Sequence, residues 1–418
     1  IEIANSKNDI YVMAKSDVLE NPDVMLRLSA VLGLPLNIVK QRLMDTAAGT
    51  QTDRIVASDT SIKNASFISE HADAFPGVHI EFRSKRQYPY GALAAHAIGY
   101  VASASEDEIK DNKDGSNVQY GDFVGKSGVE SYYNNVLSGD HGERTVVTDA
   151  NGNIHQVYSE KNPVQGSNIY LTINAYIQYK LDNMLANVSA PDGITGSGHC
   201  SGLSAVIMDP RNGNILAMSS FPRFDPNSLN GSVSEELWDA YNNEDSYYPM
   251  LNRSISGLYP AASTYKAFTG LASLEMGAIQ PTTSYYCSGA WDAFNSGLIM
   301  NCWHHSGQGS LNLYSALVNS CDIYFYECAA TFFYKSQSGE WSINSLADII
   351  SKFGFNDLTG IDLEGEQHGR VPTDSWKRKY FADYPDEAYW KGGDFANMMI
   401  GQGYVLTSPL QLCVAYGG

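Results

Sequence analysis

The stretch Leu258-Tyr259-Pro260-Ala261-Ala262-Ser263-Thr264-Tyr265-Lys266 leads into Ala267, Phe268, Leu271, Ala272, Leu274 and Met276 and is closed by Gly277. Apolar residues at this spacing predict a buried helix with a glycine stop and with Ser263 near its first turn. Ser263 and Lys266 stand three positions apart, so on a helix they share a face and the ammonium can reach the hydroxyl. That pairing suits acyl chemistry. Serine is a weak nucleophile until a base takes its proton, and a lysine desolvated by apolar neighbours can be that base. A helix N-terminus beside the attacked carbonyl adds a positive end. Ser and Lys also meet at this spacing on ordinary surface helices, so the reading depends on what surrounds them.

The chain has 418 residues, more than one core usually serves, which predicts two or more domains. Its net charge of −19, from 27 basic and 46 acidic side chains, argues against nucleic acid or an anionic membrane surface as a direct partner. No apolar run approaches the length of a membrane span and no signal peptide is present. The sequence opens at Ile1 without methionine, so an N-terminal anchor is expected to precede it. Six cysteines are too few for a disulfide scaffold.

Upstream of the serine the pattern changes several times. Asn21-Pro22-Asp23 opens a helix through Val24, Leu26, Leu28, Val31 and Leu32, and a second follows around Leu36, Val39 and Leu43. Together they read as a small packing subdomain. Residues 75–100 read as strand, turn and short helix, and residues 144–148 and 153–158 as a hairpin turning at Asn151-Gly152. Gly125-Lys126-Ser127-Gly128 resembles part of a phosphate loop, but the first glycine and its spacing are missing. A boundary near Gly166 separates a domain of residues 1–165 from one of 166–418. Past it come a strand at 169–173, a helix capped by Asn174 and running toward Leu185, and a Gly/Ser-rich loop at 193–202. A hairpin then turns at Arg211-Asn212-Gly213-Asn214, and its two strands are expected to face the serine helix.

Downstream lies Asn319-Ser320-Cys321-Asp322-Ile323-Tyr324. Ser320 and Asp322, two apart, suit a loop that points both side chains into one cleft, with Ser320 relaying a proton and Asp322 positioning. The plain alternative for such a pair is a helix cap. With both motifs present, the chain resembles a class B penicillin-binding protein, a peptidoglycan D,D-transpeptidase. Residues 252–266 are similar to the family's stretch around its acylated serine, and 205–227 to the strands before it. Residues 75–100 and 125–151 resemble its N-terminal pedestal. Gly360-Ile361-Asp362-Leu363-Glu364-Gly365-Glu366, Gly401-Gln402-Gly403 and Thr407-Ser408-Pro409-Leu410-Gln411 resemble its later signatures.

Three departures stand out. The family has Pro-Gly before the serine where this chain has Ala261-Ala262, so a less tightly wound loop is expected. The second motif commonly ends in Asn and here ends in Asp322, as in the elongation type often called penicillin-binding protein 2. The third motif, K-[ST]-G on a strand lining the cleft, is read as missing from all of these residues, so the C-terminal part of the domain is expected to be missing.

The resemblance implies an α+β fold. An N-terminal mixed pedestal, of the dimerisation type, precedes a transpeptidase domain in which helices flank an antiparallel sheet. It implies Ser263 as acylated nucleophile, Lys266 as base, Ser320 and Asp322 as their partners, and β-lactams as covalent inhibitors. It implies stem peptides ending in D-Ala-D-Ala as substrate, a glycosyltransferase partner, a membrane anchor and an extracytoplasmic catalytic domain. No cofactor is needed. A non-catalytic cell-wall scaffold, or another β-lactam-reactive serine acyl-enzyme acting as sensor or hydrolase, is the competing reading. Some relatives of the elongation type carry a metal at a set similar to Cys287, Cys302 and Cys321, with a histidine in a Gly-His-Gly element. This chain has Gly307-Gln308-Gly309, so His304 or His305 would have to serve, and His305 with the three cysteines is the candidate structural zinc site. A Cys287–Cys302 disulfide is the alternative.

Overall fold

The structure, a computed structural model, describes residues 1–45, 53–111, 118–119, 121–148, 154–189, 200–230, 233–292, 294 and 299–418. The chain forms two compact units. One comprises residues 1–170 with 224–239, the other 171–223 with 240–418. The Asn151-Gly152 turn and most of the 193–202 loop lie outside the described residues.

In the first unit the strand Asn5–Ala14 pairs antiparallel with Arg54–Ala57 on one side and Val78–Gln87 on the other. The helix Pro22–Leu32 begins where the Asn21 side chain accepts from Val24 N and stops at Gly33, where φ is +66°. Its apolar stripe, Val24 and Leu28, joins Val39 and Leu43 of the helix Leu36–Met44 against Val12, Ala14 and Val56 of the sheet. The two helices therefore cover a sheet rather than forming a separate subdomain. The excursion 224–239 belongs to this unit because Asn227 exchanges hydrogen bonds with Tyr88, Nδ2 to O at 2.8 Å and N to Oδ1 at 2.9 Å. Phe224 adds edge contacts with His96 and Tyr100.

In the second unit the helix Ala175–Ser189 starts with Asn174 Oδ1 accepting from the backbone of Tyr176 and Ile177. Residues 169–173 are not a strand. Thr172 and Asn174 instead donate to the carbonyls of Ile215 and Leu216, which ties the entry of the helix to the following hairpin. That hairpin pairs Leu203–Asp209 with Asn214–Phe221. The buried side chain of Gln178 both donates to Met218 O and accepts from Met218 N, at 2.9 Å each. A polar clip of this kind fixes register as well as position.

The core is built on three helices, Lys266–Glu275, Asp322–Gln337 and Gly392–Met399, which bury Phe268, Ala272, Phe325, Ala329, Phe332, Phe395 and Met399. Gly270 allows the first of them a close approach, since a Cβ there would lie 3.1 Å from Leu313 Cδ1. The helix Pro409–Gly417 packs on the strand Leu203–Asp209 and also touches the serine helix, with Tyr416 and Phe268 ring centroids 4.8 Å apart. The hairpin thus reaches the serine helix by way of this last helix. Among the described residues no single helix is long and apolar enough to cross a membrane.

Candidate active site

Ser263 lies on a single 3-10 turn, Ala262–Tyr265, that runs directly into the helix Lys266–Glu275. The turn is held from below. Ala262 N donates to Gly401 O at 2.8 Å, and a Cβ on Gly401 would sit 2.5 Å from both Ala262 O and Tyr265 Cβ. Gly401, at φ +67°, is thus a position where only glycine fits. The incoming loop is clamped too, since Tyr259 and Thr407 exchange backbone hydrogen bonds of 2.9 and 3.0 Å. The expectation of a loosened loop at Ala261-Ala262 is not met, because Ala262 itself adopts φ +50°, the left-handed region a glycine would favour.

An alanine in that region costs about 1–2 kcal/mol relative to a right-handed one, partly offset by the smaller unfolded-state entropy it brings. Ala262→Gly is therefore expected to raise stability by about 0.5–1 kcal/mol, read as a higher urea midpoint at unchanged slope. An unchanged or lower midpoint would show that the conformation carries no strain.

Ser263 is exposed whereas Lys266 is 1% exposed. Lys266 Nζ donates to Ser320 O at 2.9 Å, Ser320 Oγ at 3.2 Å and Asp322 Oδ1 at 2.7 Å. An ammonium has three donors, so these acceptors use all of them. The Ser263 hydroxyl has no hydrogen-bond partner among the described residues, so the direct Ser263–Lys266 contact expected from the spacing is replaced by a lysine held by the second motif. Ser320 and Asp322 are brought together with it. Neither acts as a helix cap. The N-cap of Asp322–Gln337 is Cys321, whose side chain makes no capping bond, and Ser320 sits at φ +49° in the turn before it.

Asp322 is held at both oxygens, for Oδ2 accepts from the backbone N–H of Trp303 at 3.0 Å. Trp303 Nε1 in turn donates to Asn319 O at 3.0 Å. Trp303 is a positioning residue that the sequence reading missed. Its role is played by a backbone N–H, which every residue but proline owns, so no side-chain pattern could have revealed it. Nearby, the Tyr326 phenol is pushed up by burial first and then by the charge of Asp322.

One cluster of buried thiols gathers around Cys321, the residue between Ser320 and Asp322. Sγ of Cys287, Cys302 and Cys321 all lie within 4.8 Å of one another, and all three residues are buried. Burial pushes the Cys321 thiol up to about 12. The cysteines are free, so the Cys287–Cys302 disulfide is not formed, and a three-way cluster takes its place. His305 does not join them. It is exposed, and its carbonyl, rather than its ring, is the part packed inward, 2.0 Å from where a Cβ on Gly289 would stand. For a tetrahedral metal the thiols thus offer three soft, buried donors of the expected four.

The letters Lys-Ser-Gly occur once, at 126–128, in the first unit, where Lys126 is ion-paired with Glu108 at 2.5 Å. The reading that these letters occur nowhere in the chain is therefore corrected.

Residues 203–417 match the penicillin binding protein transpeptidase domain. The chain belongs to that family. Residues 3–171 of this penicillin-binding protein also match the penicillin-binding protein dimerisation domain, so a dimerisation-type pedestal precedes the transpeptidase fold, as the resemblance implied. It is 33% identical to the peptidoglycan D,D-transpeptidase MrdA of Escherichia coli strain K12, over 82% of this chain and 50% of the relative. Against MrdA of Acinetobacter baumannii it is 30% identical over 96% of this chain and 56% of the relative. Penicillin-binding protein 2 of Helicobacter pylori, solved in complex with MreC, superimposes with TM-score 0.80 and 26% identity over 98% of this chain and 72% of that one. These relatives make it a class B penicillin-binding protein similar to penicillin-binding protein 2. It spans about half the length of the curated relatives it matches.

Proposed function

We propose that this chain carries the acylation half of a peptidoglycan D,D-transpeptidase. The supporting observation is the exposed Ser263 at a helix entrance, three residues before a buried lysine whose donors are all engaged by Ser320 and Asp322. Ser263 Oγ attacks the carbonyl of the penultimate D-Ala of a stem peptide. The C–O bond forms, the C–N bond to the terminal D-Ala breaks, and an acyl-enzyme results; the amine of a second stem then displaces the serine and leaves a cross-link. The Ser263 proton must reach the departing amine. Lys266 Nζ can take it only as the amine, with two hydrogens and a free lone pair in place of the three donors shown, so one of its present acceptors is given up; Ser320 Oγ, 3.2 Å from Nζ, then passes a proton onward to the leaving amine. Asp322, fixed by Trp303 N–H, keeps the lysine oriented. The backbone N–H of Ser263 serves as one donor to the developing oxyanion.

A β-lactam presents a strained amide to the same serine and stays attached. With the substrate assigned, the cellular setting follows from the resemblance: an anchored, extracytoplasmic protein that works with a glycosyltransferase, its pedestal docking a partner such as the MreC seen with the Helicobacter pylori protein. A structural zinc on the three thiols completes the proposal and takes no part in the reaction. Labelling with a fluorescent penicillin followed by peptide mapping tests it. The adduct is expected on Ser263 alone and should vanish in Ser263→Ala. A label on Ser320 would reverse the assigned roles, and no label on folded protein would favour a scaffold.

A further inference from the structure

The three thiols leave a tetrahedral metal one ligand short, and the exposed His305 does not supply it. Gln308 occupies the same turn. Its backbone N–H donates to Cys287 O at 3.0 Å, and its side-chain Nε2 donates to Asn319 O at 3.3 Å, two residues ahead of Cys321. One residue therefore spans from the strand that carries Cys287 to the turn that carries Cys321. Because a carbonyl can only accept, the bond to Asn319 O fixes which end of the amide is nitrogen. The other end, Oε1, is buried and has no hydrogen-bond partner among the described residues. An acceptor shut away from water without a donor is destabilising, and native folds seldom keep one without a missing water or ion.

We infer that Gln308 Oε1 is the fourth ligand of a divalent metal held by Cys287, Cys302 and Cys321. The inference rests on the three-thiol zinc reading above and names the ligand that reading lacks. Binding converts three thiols to thiolates and releases their protons, while the amide oxygen stays neutral, so the loaded site carries one net negative charge. An amide oxygen is a poorer partner than imidazole for a borderline-soft ion, so the site should hold zinc less tightly than one with histidine at 308. Cys302 precedes Trp303 and Cys321 precedes Asp322, so the same ion would brace both ends of the Trp303–Asp322 contact.

Cobalt(II) titrated into the reduced chain tests this without any appeal to activity. Thiolate-to-cobalt charge transfer in the near ultraviolet reports sulfur ligation, and the visible d–d bands report the fourth ligand. The wild-type chain should take up one cobalt with thiolate charge transfer, displaced by zinc. Gln308→Ala should keep the charge transfer, shift the d–d bands and weaken binding by about tenfold or more. Gln308→His should shift the bands differently and tighten binding. Unchanged d–d bands and affinity in folded Gln308→Ala would remove Gln308 while leaving the three-thiol reading intact. If that variant misfolds, unchanged bands in Gln308→His would do the same. Absence of thiolate charge transfer in the wild-type chain would overturn both readings.

Discussion

Lys266→Ala is expected to slow penicillin acylation by about a thousand- to ten-thousandfold, the scale lost when a positioned proton acceptor is removed from a nucleophile that depends on it. The same change deprives Asp322, whose side chain is 13% exposed, of its counter-charge at 2.7 Å. Breaking a buried pair from one side costs about 3–5 kcal/mol, so part of any lost labelling could come from unfolding. Lys266→Arg separates the two effects. A guanidinium keeps the positive charge and several donors for Asp322 and Ser320, but it does not give up a proton in proteins. Acylation should stay lost while near-ultraviolet circular dichroism and the urea midpoint recover toward wild type. Wild-type acylation by Lys266→Arg would sink the base role and leave Lys266 a structural charge.

How far the sequence carries this argument differs from residue to residue. The serine helix, its Gly277 stop, the Asn174 cap and the hairpin around Gly213 are local features whose side chains announce them, and all appear in the structure. The strand Asn5–Ala14 was missed because its first half, Asn5 to Asn8, is polar, with Ser6, Lys7 and Asn8 exposed; only its second half has the buried Val12, Met13 and Ala14. The excursion 224–239 was invisible for another reason. Asn227 and Asn230 reach back 139 and 144 residues to Tyr88 and Arg86, and no periodicity encodes a contact at that range. At the site, spacing paired Ser263 with Lys266 and Ser320 with Asp322, and the resemblance joined the two pairs, but neither told which of the four would touch. Lys266 turned to the second motif because a buried ammonium needs its donors satisfied, and the Asp322 carboxylate with two Ser320 oxygens satisfies all three. The cysteines were legible as a group. The turn that sends His305 outward and Gln308 between Cys287 and Asn319 was not.

Asp394→Ala is expected to destabilise the protein by about 3–5 kcal/mol and to leave acylation per folded molecule unchanged. The reasoning compares two pairs that look alike. Lys377 Nζ meets Asp394 Oδ2 at 2.6 Å with side chains 1% and 12% exposed, against 2.7 Å, 1% and 13% for Lys266 and Asp322. Charge, distance and burial are thus nearly the same, and none of them distinguishes chemistry from structure. The surroundings do. The remaining contacts of Lys377 are Tyr389 O at 2.9 Å and the ring faces of Phe381, Trp390 and Tyr404, and none of these contacts is made through a hydroxyl that could relay a proton, as Ser320 Oγ is for Lys266. Asp394 also accepts from Lys391 N at 2.7 Å and so helps start the helix Gly392–Met399, which adds the cost of a lost cap. Lys266 instead touches a hydroxyl, Ser320 Oγ, and shares its turn of chain with an exposed serine. Asp322→Ala should therefore lower both stability and acylation, and Asp394→Ala only stability, when urea midpoints and penicillin labelling are measured on the same samples. A tenfold or greater loss of acylation in folded Asp394→Ala would mean that the second pair is coupled to the first, and that the exposed serine is not what sets the two apart.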